Sequence, residues 1–235
     1  MLCKIADLLV EIPAAGGMTP RCKGYLHDSE ACPDIQILSD RYRVGSWPNL
    51  DECGRAYMES GIQFYNEILR YNGMMLHASA IALDGKAYLF SGPSGMGKST
   101  HTRLWQQIFG DAAVVFNDDK PALRKIDGIW YAYGTPWCGK DGINQNMKVP
   151  LGGICFLKRG DENVIRPLGS DEAMRKVISQ TVRKFWKTER LELMLNLIEQ
   201  LVHDIPFFEL ESRPVTDAAK LSFETMHKAA QERNL

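Results

Sequence analysis

Residues 86–99 read KAYLFSGPSGMGKS. The spacing Gly92-x-x-x-x-Gly97-Lys98-Ser99 is that of a phosphate-binding P-loop, and it constrains the fold more than any other stretch. Such a loop needs a strand before it and a helix after it. KAYLF supplies strand-forming residues, and a helix is expected from Ser99 to Phe109, closed by Gly110. Gly92, Gly95 and Gly97 let backbone N–H groups converge on phosphate oxygens, and the helix N-terminus adds partial positive charge. Ser94, Met96 and Thr100 complete the expected nucleotide-binding set. In this reading Lys98 reaches the β- and γ-phosphates and the Ser99 hydroxyl holds Mg²⁺.

The strand feeding this loop has an unusual partner. MLHASAIAL and KAYLF flank Asp84-Gly85, and Asp-Gly between strand-like runs predicts a tight antiparallel hairpin. A second such turn, Asp127-Gly128, joins ALRKI to IWYAY. Strands are also expected at KIADLLVEI, IQILSDRYRV, AAVVF, GICFLKR, NVIRPL and IPFFELE. Helices are expected over 53–72, with Met58, Ile62, Tyr65 and Leu69 on one face and Gly73 as the stop. Others are expected from Asp171 to about Trp186, through Leu193, Met194, Leu197, Ile198, Leu201 and Val202, and over 216–230. The result is an α/β or α+β fold with much antiparallel sheet and a helical C-terminal part. Residues 1–52 read as an N-terminal lobe or sheet extension, and 53–235 as the main domain.

The apolar run AAVVF ends in Asn117-Asp118-Asp119. An acid at the end of a buried strand is how P-loop proteins hold magnesium. Two acids exceed that need, so the other is free to take a proton from an attacking hydroxyl. His77 lies on the hairpin strand that returns toward the loop, where it could contact phosphate. The polar loop GTPWCGKDGINQNMKVP has the composition of a substrate loop, with Trp137, Lys140 and Asn144 as candidates.

With 235 residues, 45% hydrophobic and 24% charged, the chain has ordinary globular composition, and its net charge of −1 argues for neither nucleic acid nor an anionic membrane as partner. No run approaches membrane-spanning length, and MLCKIADLLVEI is interrupted by charges, so a cytoplasmic location is expected. Six cysteines without a C-x-x-C pair read as reduced thiols.

The segment LHASAIALDGKAYLFSGPSGMGKST…VVFNDDK resembles the kinase domain of HPr kinase/phosphorylase, within the phosphoenolpyruvate carboxykinase-like P-loop group. The resemblance runs over about residues 74–168. It implies ATP and Mg²⁺ as cofactors, Lys98 at the phosphates, and Ser99 and Asp119 at the metal. It further implies Asp118 as the base that deprotonates a serine hydroxyl, with His77 beside the reacting phosphate. The function so implied is a kinase acting on a serine of a peptide or protein, or on a small serine-like metabolite. A non-catalytic ATP-sensing module, a carboxykinase-like enzyme and a small-metabolite kinase are the alternatives.

Overall fold

The computed structural model describes residues 1–14, 17–39, 47–181 and 188–233. The chain opens with β1 (Leu2–Ile5) and β2 (Leu8–Glu11), a hairpin paired Ile5↔Leu8. KIADLLVEI, expected as one strand, therefore folds back on itself. Its turn residues Ala6 and Asp7 sit at φ 52° and 61° without the usual turn chemistry. Distant partners hold them. Arg124 Nη1 donates to the Ala6 carbonyl at 2.6 Å, and Tyr133 Oη and Lys148 Nζ each reach the Asp7 carboxylate at 2.8 Å. α1 (Thr19–Cys22) follows, then β3 (Ile35–Gln36), parallel to β2. The strand expected over IQILSDRYRV is thus only two residues long, and its 40–44 part lies outside the described residues.

α2 (Glu52–Glu67) starts where Asp51 accepts the Gly54 N–H at 2.7 Å. Met58 and Ile62, expected on the core face, are half-buried, while Ala56, Phe64, Tyr65 and Leu69 are buried. The stop is Asn72 at φ 53°, not Gly73. Asn tolerates the left-handed region that most residues avoid. Gly73 instead begins β4 (Gly73–Met75), where a Cβ would press on Arg124 and Ile68.

β5 (Ala78–Leu83) and β6 (Lys86–Ser91) form the expected hairpin, with Asp84 and Gly85 at φ 51° and 72°. α3 (Lys98–Phe109), β7 (Val114–Asp119) and a second Asp-Gly hairpin of β8 (Ala122–Ile126) and β9 (Ile129–Tyr133) follow. β10 (Lys148–Arg159) begins five residues earlier than GICFLKR suggests, within the expected polar loop. β11 (Val164–Pro167), α4 (Ser170–Ser179), α5 (Thr188–Asp204), β12 (Phe207–Ser212) and α6 (Thr216–Glu232) complete the chain. α4 ends at Ser179, short of the expected limit near Trp186, which lies outside the described residues.

The main sheet has nine strands in the order β4-β8-β9-β10-β6-β5-β7, with β12 beside β10 and β11 beside β12. β10 joins its two halves, antiparallel to β9 at Lys148–Pro150 and parallel to β6 and β12 further on. Side-chain alternation explains why helices cover both faces. In β6, Ala87 and Leu89 pack in a core with Ile198 and Leu201 of α5, while Tyr88 and Phe90 pack with Trp105 of α3 and Met226 of α6. A third core joins Ile5, Val10 and Ile35 of the N-terminal strands to Phe64, Tyr65 and Ile68 of the α2 region and to Trp137.

Candidate active site

β6 delivers the chain to the glycine-rich loop at a buried strand end. Gly97 precedes α3 at φ 98°, a conformation L side chains rarely adopt, although a Cβ there would meet nothing within 4 Å. Backbone freedom, not space, requires glycine here. Among the described residues, no protein group accepts the backbone N–H of Gly95, Gly97, Lys98, Ser99 or Thr100. These are the donors a helix start leaves unsatisfied. A cavity of about 350 Å³ opens over them, lined among others by His77, Lys98, Ser99, Asp118, Asp119 and Lys140.

Lys98 is buried, and its ammonium folds back onto the Gly92 and Pro93 carbonyls at 3.0 and 3.3 Å. Burial lowers its pKa against the pull of Asp119 and Asp118. Ser99 Oγ donates to Asp118 Oδ1 at 2.9 Å. The hydroxyl expected to share a metal with Asp119 therefore lies against Asp118.

The two acids are separated by their backbone. β7 ends at Asp119, whose φ of 145° departs from strand geometry, and the Lys120 N–H bonds back to Asn117 Oδ1 at 2.9 Å. Strand residues alternate sides, yet this departure leaves both carboxylates on the same cavity. Asp119 is held by His77 Nε2 at 3.2 Å, by Tyr57 Oη at 3.4 Å and by a direct ion pair with Lys120. Burial opposes ionisation of Asp119, but the contacts from His77 and Lys120 outweigh it and hold the carboxyl well below the usual range. His77 is fixed from behind. Its N–H donates to the Gln180 carbonyl at 2.7 Å and its Nδ1 lies 3.2 Å from Gln180 Oε1, so the end of α4 sets the imidazole.

Of the other expected residues, Ser94, Gly95, Gly97 and Thr100 line the cavity. Gly92 contributes its carbonyl to Lys98, and Met96 packs toward the α3/α6 core. Lys140 is exposed at the cavity. Trp137, expected in the substrate loop, does not line the cavity: it is fully buried, stacks on Phe64 at 4.6 Å and donates to Ser60 Oγ at 3.1 Å. Asn144 does not line the cavity either; it donates to the Arg21 carbonyl at 3.1 Å and anchors its loop to α1.

Sequence reasoning missed Lys120, Tyr57, Gln180 and Arg21. Lys120 directly follows the acid pair and could have been included on that ground. Arg21 had no local signal. Its Nη1 reaches the Cys138 carbonyl at 2.8 Å and Sγ at 3.0 Å, and its guanidinium lies 4.8 Å over the Tyr57 ring. Next to it, the Gly139 N–H donates to the Asp118 carbonyl at 2.5 Å, so α1 braces the cavity wall through this loop.

The sequence model of the family described as SynChlorMet cassette protein ScmC matches residues 56–215, more than half of the chain. The chain belongs to the ScmC family. In this ScmC-family chain the matched span runs from α2 past β12, taking in the glycine-rich loop and the acid pair and leaving out Arg21. Among solved structures, the Hpr(Ser) kinase/phosphatase from Coxiella burnetii is similar at 12% identity, covering 68% of this chain and 92% of that one with a TM-score of 0.38. No curated protein matches the sequence. Among the described residues, no helix is long and apolar enough to cross a membrane.

Proposed function

We propose that this chain is an ATP- and Mg²⁺-dependent kinase that transfers the γ-phosphoryl group to a hydroxyl of a peptide, protein or small metabolite. The observation that carries the reading is the convergence of free loop amides, Lys98, the Ser99–Asp118 pair and Asp119 on one cavity. The amides and the α3 N-terminus suit phosphate oxygens. Ser99 and Asp118 form an all-oxygen donor pair, the chemistry a hard cation takes. Among the described residues no group of three or more His, Cys, Asp or Glu could hold a metal. A phosphate-borne magnesium needs only one or two carboxylates from the protein. Once bound, that ion supplies charge neutralisation across the phosphates.

In this reading Lys98 leaves its loop carbonyls for the β- and γ-phosphates. Asp118 takes the metal side with Ser99, a role supported by their hydrogen bond and the reverse of the sequence expectation. Asp119 faces the acceptor, orients its hydroxyl and accepts its proton as the acceptor oxygen bonds to the γ-phosphorus and the bond from that phosphorus to the β-phosphate oxygen breaks, releasing ADP. A strongly acidic carboxyl suits this, because phosphoryl transfer draws more on positioning than on base strength. His77 and Lys120 hold Asp119 ionised and in place.

The test pairs two variants, each assayed for MgATP affinity and for transfer from γ-labelled ATP across a panel of peptides and hydroxyl metabolites. Asp119→Asn is expected to keep affinity within a few fold and lose about 10²–10⁴ in transfer. Asp118→Asn is expected to weaken the magnesium dependence of binding itself. Reversed behaviour would return the base to Asp118. Tight wild-type MgATP binding with transfer to nothing in the panel would make the protein a nucleotide sensor.

A further inference from the structure

We infer that Lys140 selects the acceptor, favouring one with a carboxylate close to the hydroxyl that is phosphorylated; this rests on the kinase reading above. Among the described residues three basic side chains line the cavity: His77, Lys98 and Lys140. His77 is held on Asp119, and Lys98 is the ammonium assigned to the donor phosphates. Lys140 has no hydrogen-bond or ion-pair partner among the described residues. The carboxylates of the lining do not supply one. Asp118 accepts from Ser99, Asp119 pairs with His77 and Lys120, and Asp141 pairs with Arg103. One positive charge is thus left for a ligand other than the donor.

The backbone beneath Lys140 is built to present it. Lys140 follows Gly139 in a tight turn, closed by the Gly142 N–H on the Gly139 carbonyl at 3.2 Å, with Gly142 at φ 68°. Glycine suits the last position of such a turn. Both feet of the turn stand on one residue of the acid pair. The Gly139 N–H donates to the Asp118 carbonyl at 2.5 Å, and the Asp118 N–H donates to the Ile143 carbonyl at 3.1 Å. Only glycine at 139 permits this approach, since a Cβ there would lie 2.9 Å from the Asp118 carbonyl oxygen. The Asp141–Arg103 ion pair ties the tip to α3, the helix that follows the glycine-rich loop. The Lys140 backbone is therefore fixed to both the acid pair and the phosphate-binding helix, while its side chain is exposed and unpaired. An ammonium is a point charge that attracts anions. Asp119, itself negative, would repel an acidic acceptor, and Lys140 offsets that repulsion. The carboxylate could belong to an Asp or Glu beside the target residue of a peptide, or to a small hydroxy acid.

The experiment measures transfer from γ-labelled ATP by the full chain to two sets of probes. One is a series of peptides identical except for alanine, glutamate or lysine beside a single serine. The other is N-acetyl-L-serine against its carboxamide. Wild type is expected to favour the glutamate peptide over the alanine one, or N-acetyl-L-serine over its amide, by about fivefold in kcat/KM, the upper end for an exposed charge pair. The set that shows the preference tells a peptide from a small hydroxy acid. Because the contact lies away from the reacting atoms, the preference is expected in the acceptor KM and not in kcat. Lys140→Ala is expected to erase it, Lys140→Arg to keep it, and Lys140→Glu to turn it toward the lysine peptide or the amide, with the KM for ATP unchanged in all three. Equal wild-type transfer to acidic and uncharged probes, or a preference that survives Lys140→Ala, would overturn the selection and leave the kinase standing. A raised KM for ATP in Lys140→Ala would overturn it by placing the lysine on the donor. Transfer to no probe while MgATP binds would overturn the kinase reading and this inference with it.

Discussion

Asp119 occupies a backbone conformation that costs a non-glycine residue about 1–3 kcal/mol. At φ 145° it is held by the Lys120–Asn117 turn and by its own carboxylate partners. Strain retained at a carboxylate that lines the cavity fits a residue kept for chemistry. Glycine relieves such strain and alanine does not. Asp119→Gly is therefore expected to be more stable than Asp119→Ala by about 1 kcal/mol, against the usual order in regular structure, while both lose phosphoryl transfer. Urea unfolding of the two variants checks this; an alanine variant as stable as the glycine one would show that the backbone is not strained. The acid pair was legible as acids at a strand end. Its division of partners was not, because it depends on one φ angle that sequence does not report.

At the scale of elements, the α3/α6 contact turns on one hydroxyl. Ser222 Oγ donates to the Ala219 carbonyl at 2.8 Å and accepts from Trp105 Nε1 at 3.0 Å. His101 Nε2 lies 2.9 Å away and completes the set as a donor. Burial pushes the His101 imidazole down to about 4. The folded state then binds fewer protons than the unfolded state between pH 6.5 and pH 4. Stability accordingly falls on acidification through that window, by up to about 3 kcal/mol, and is restored above it. His101→Gln is expected to flatten this part of the profile in urea titrations from pH 7 to pH 4; an unchanged slope would remove His101 as its source. Asp119 loses stability in the same direction on acidification, in a lower window. Its depressed pKa keeps its contribution through this window, to be lost only as pH falls through a value below the ordinary carboxylate range.

Elements were readable from sequence where their cause is local. Asp84-Gly85 and Asp127-Gly128 fix their hairpins by turn chemistry alone. Ala6-Asp7 makes the same kind of turn through Arg124, Tyr133 and Lys148, more than a hundred residues away, and was invisible. The burial of Trp137 was not legible because the polar residues around it disguise a loop that plugs into the core between Phe64 and Ser60.

Across the whole molecule, the N-terminal strands and the cavity are mechanically joined. Arg21 touches the 138–139 backbone, and Gly139 touches Asp118. Nothing in the first fifty residues announced this, since the contact spans most of the fold. Arg21→Ala is expected to cost about 1–3 kcal/mol, because it removes a charged donor from the 138–139 backbone and the contact over the Tyr57 ring, while the Cys138 carbonyl keeps Tyr57 Oη as a donor. It is also expected to speed amide exchange at Gly139 and to lower transfer more than nucleotide affinity. Unchanged exchange at Gly139 would mean that the brace does not reach the site.

The central claim is that the loop and Lys98 hold the phosphates of a nucleotide. Calorimetric titration of MgATP into wild type and Lys98→Ala tests it most directly. A charge-assisted hydrogen bond of this kind contributes about 1.5–3 kcal/mol, so saturable one-to-one binding in wild type should weaken roughly ten- to hundredfold in the variant. No binding by wild type, or equal affinity in the two proteins, would contradict the account.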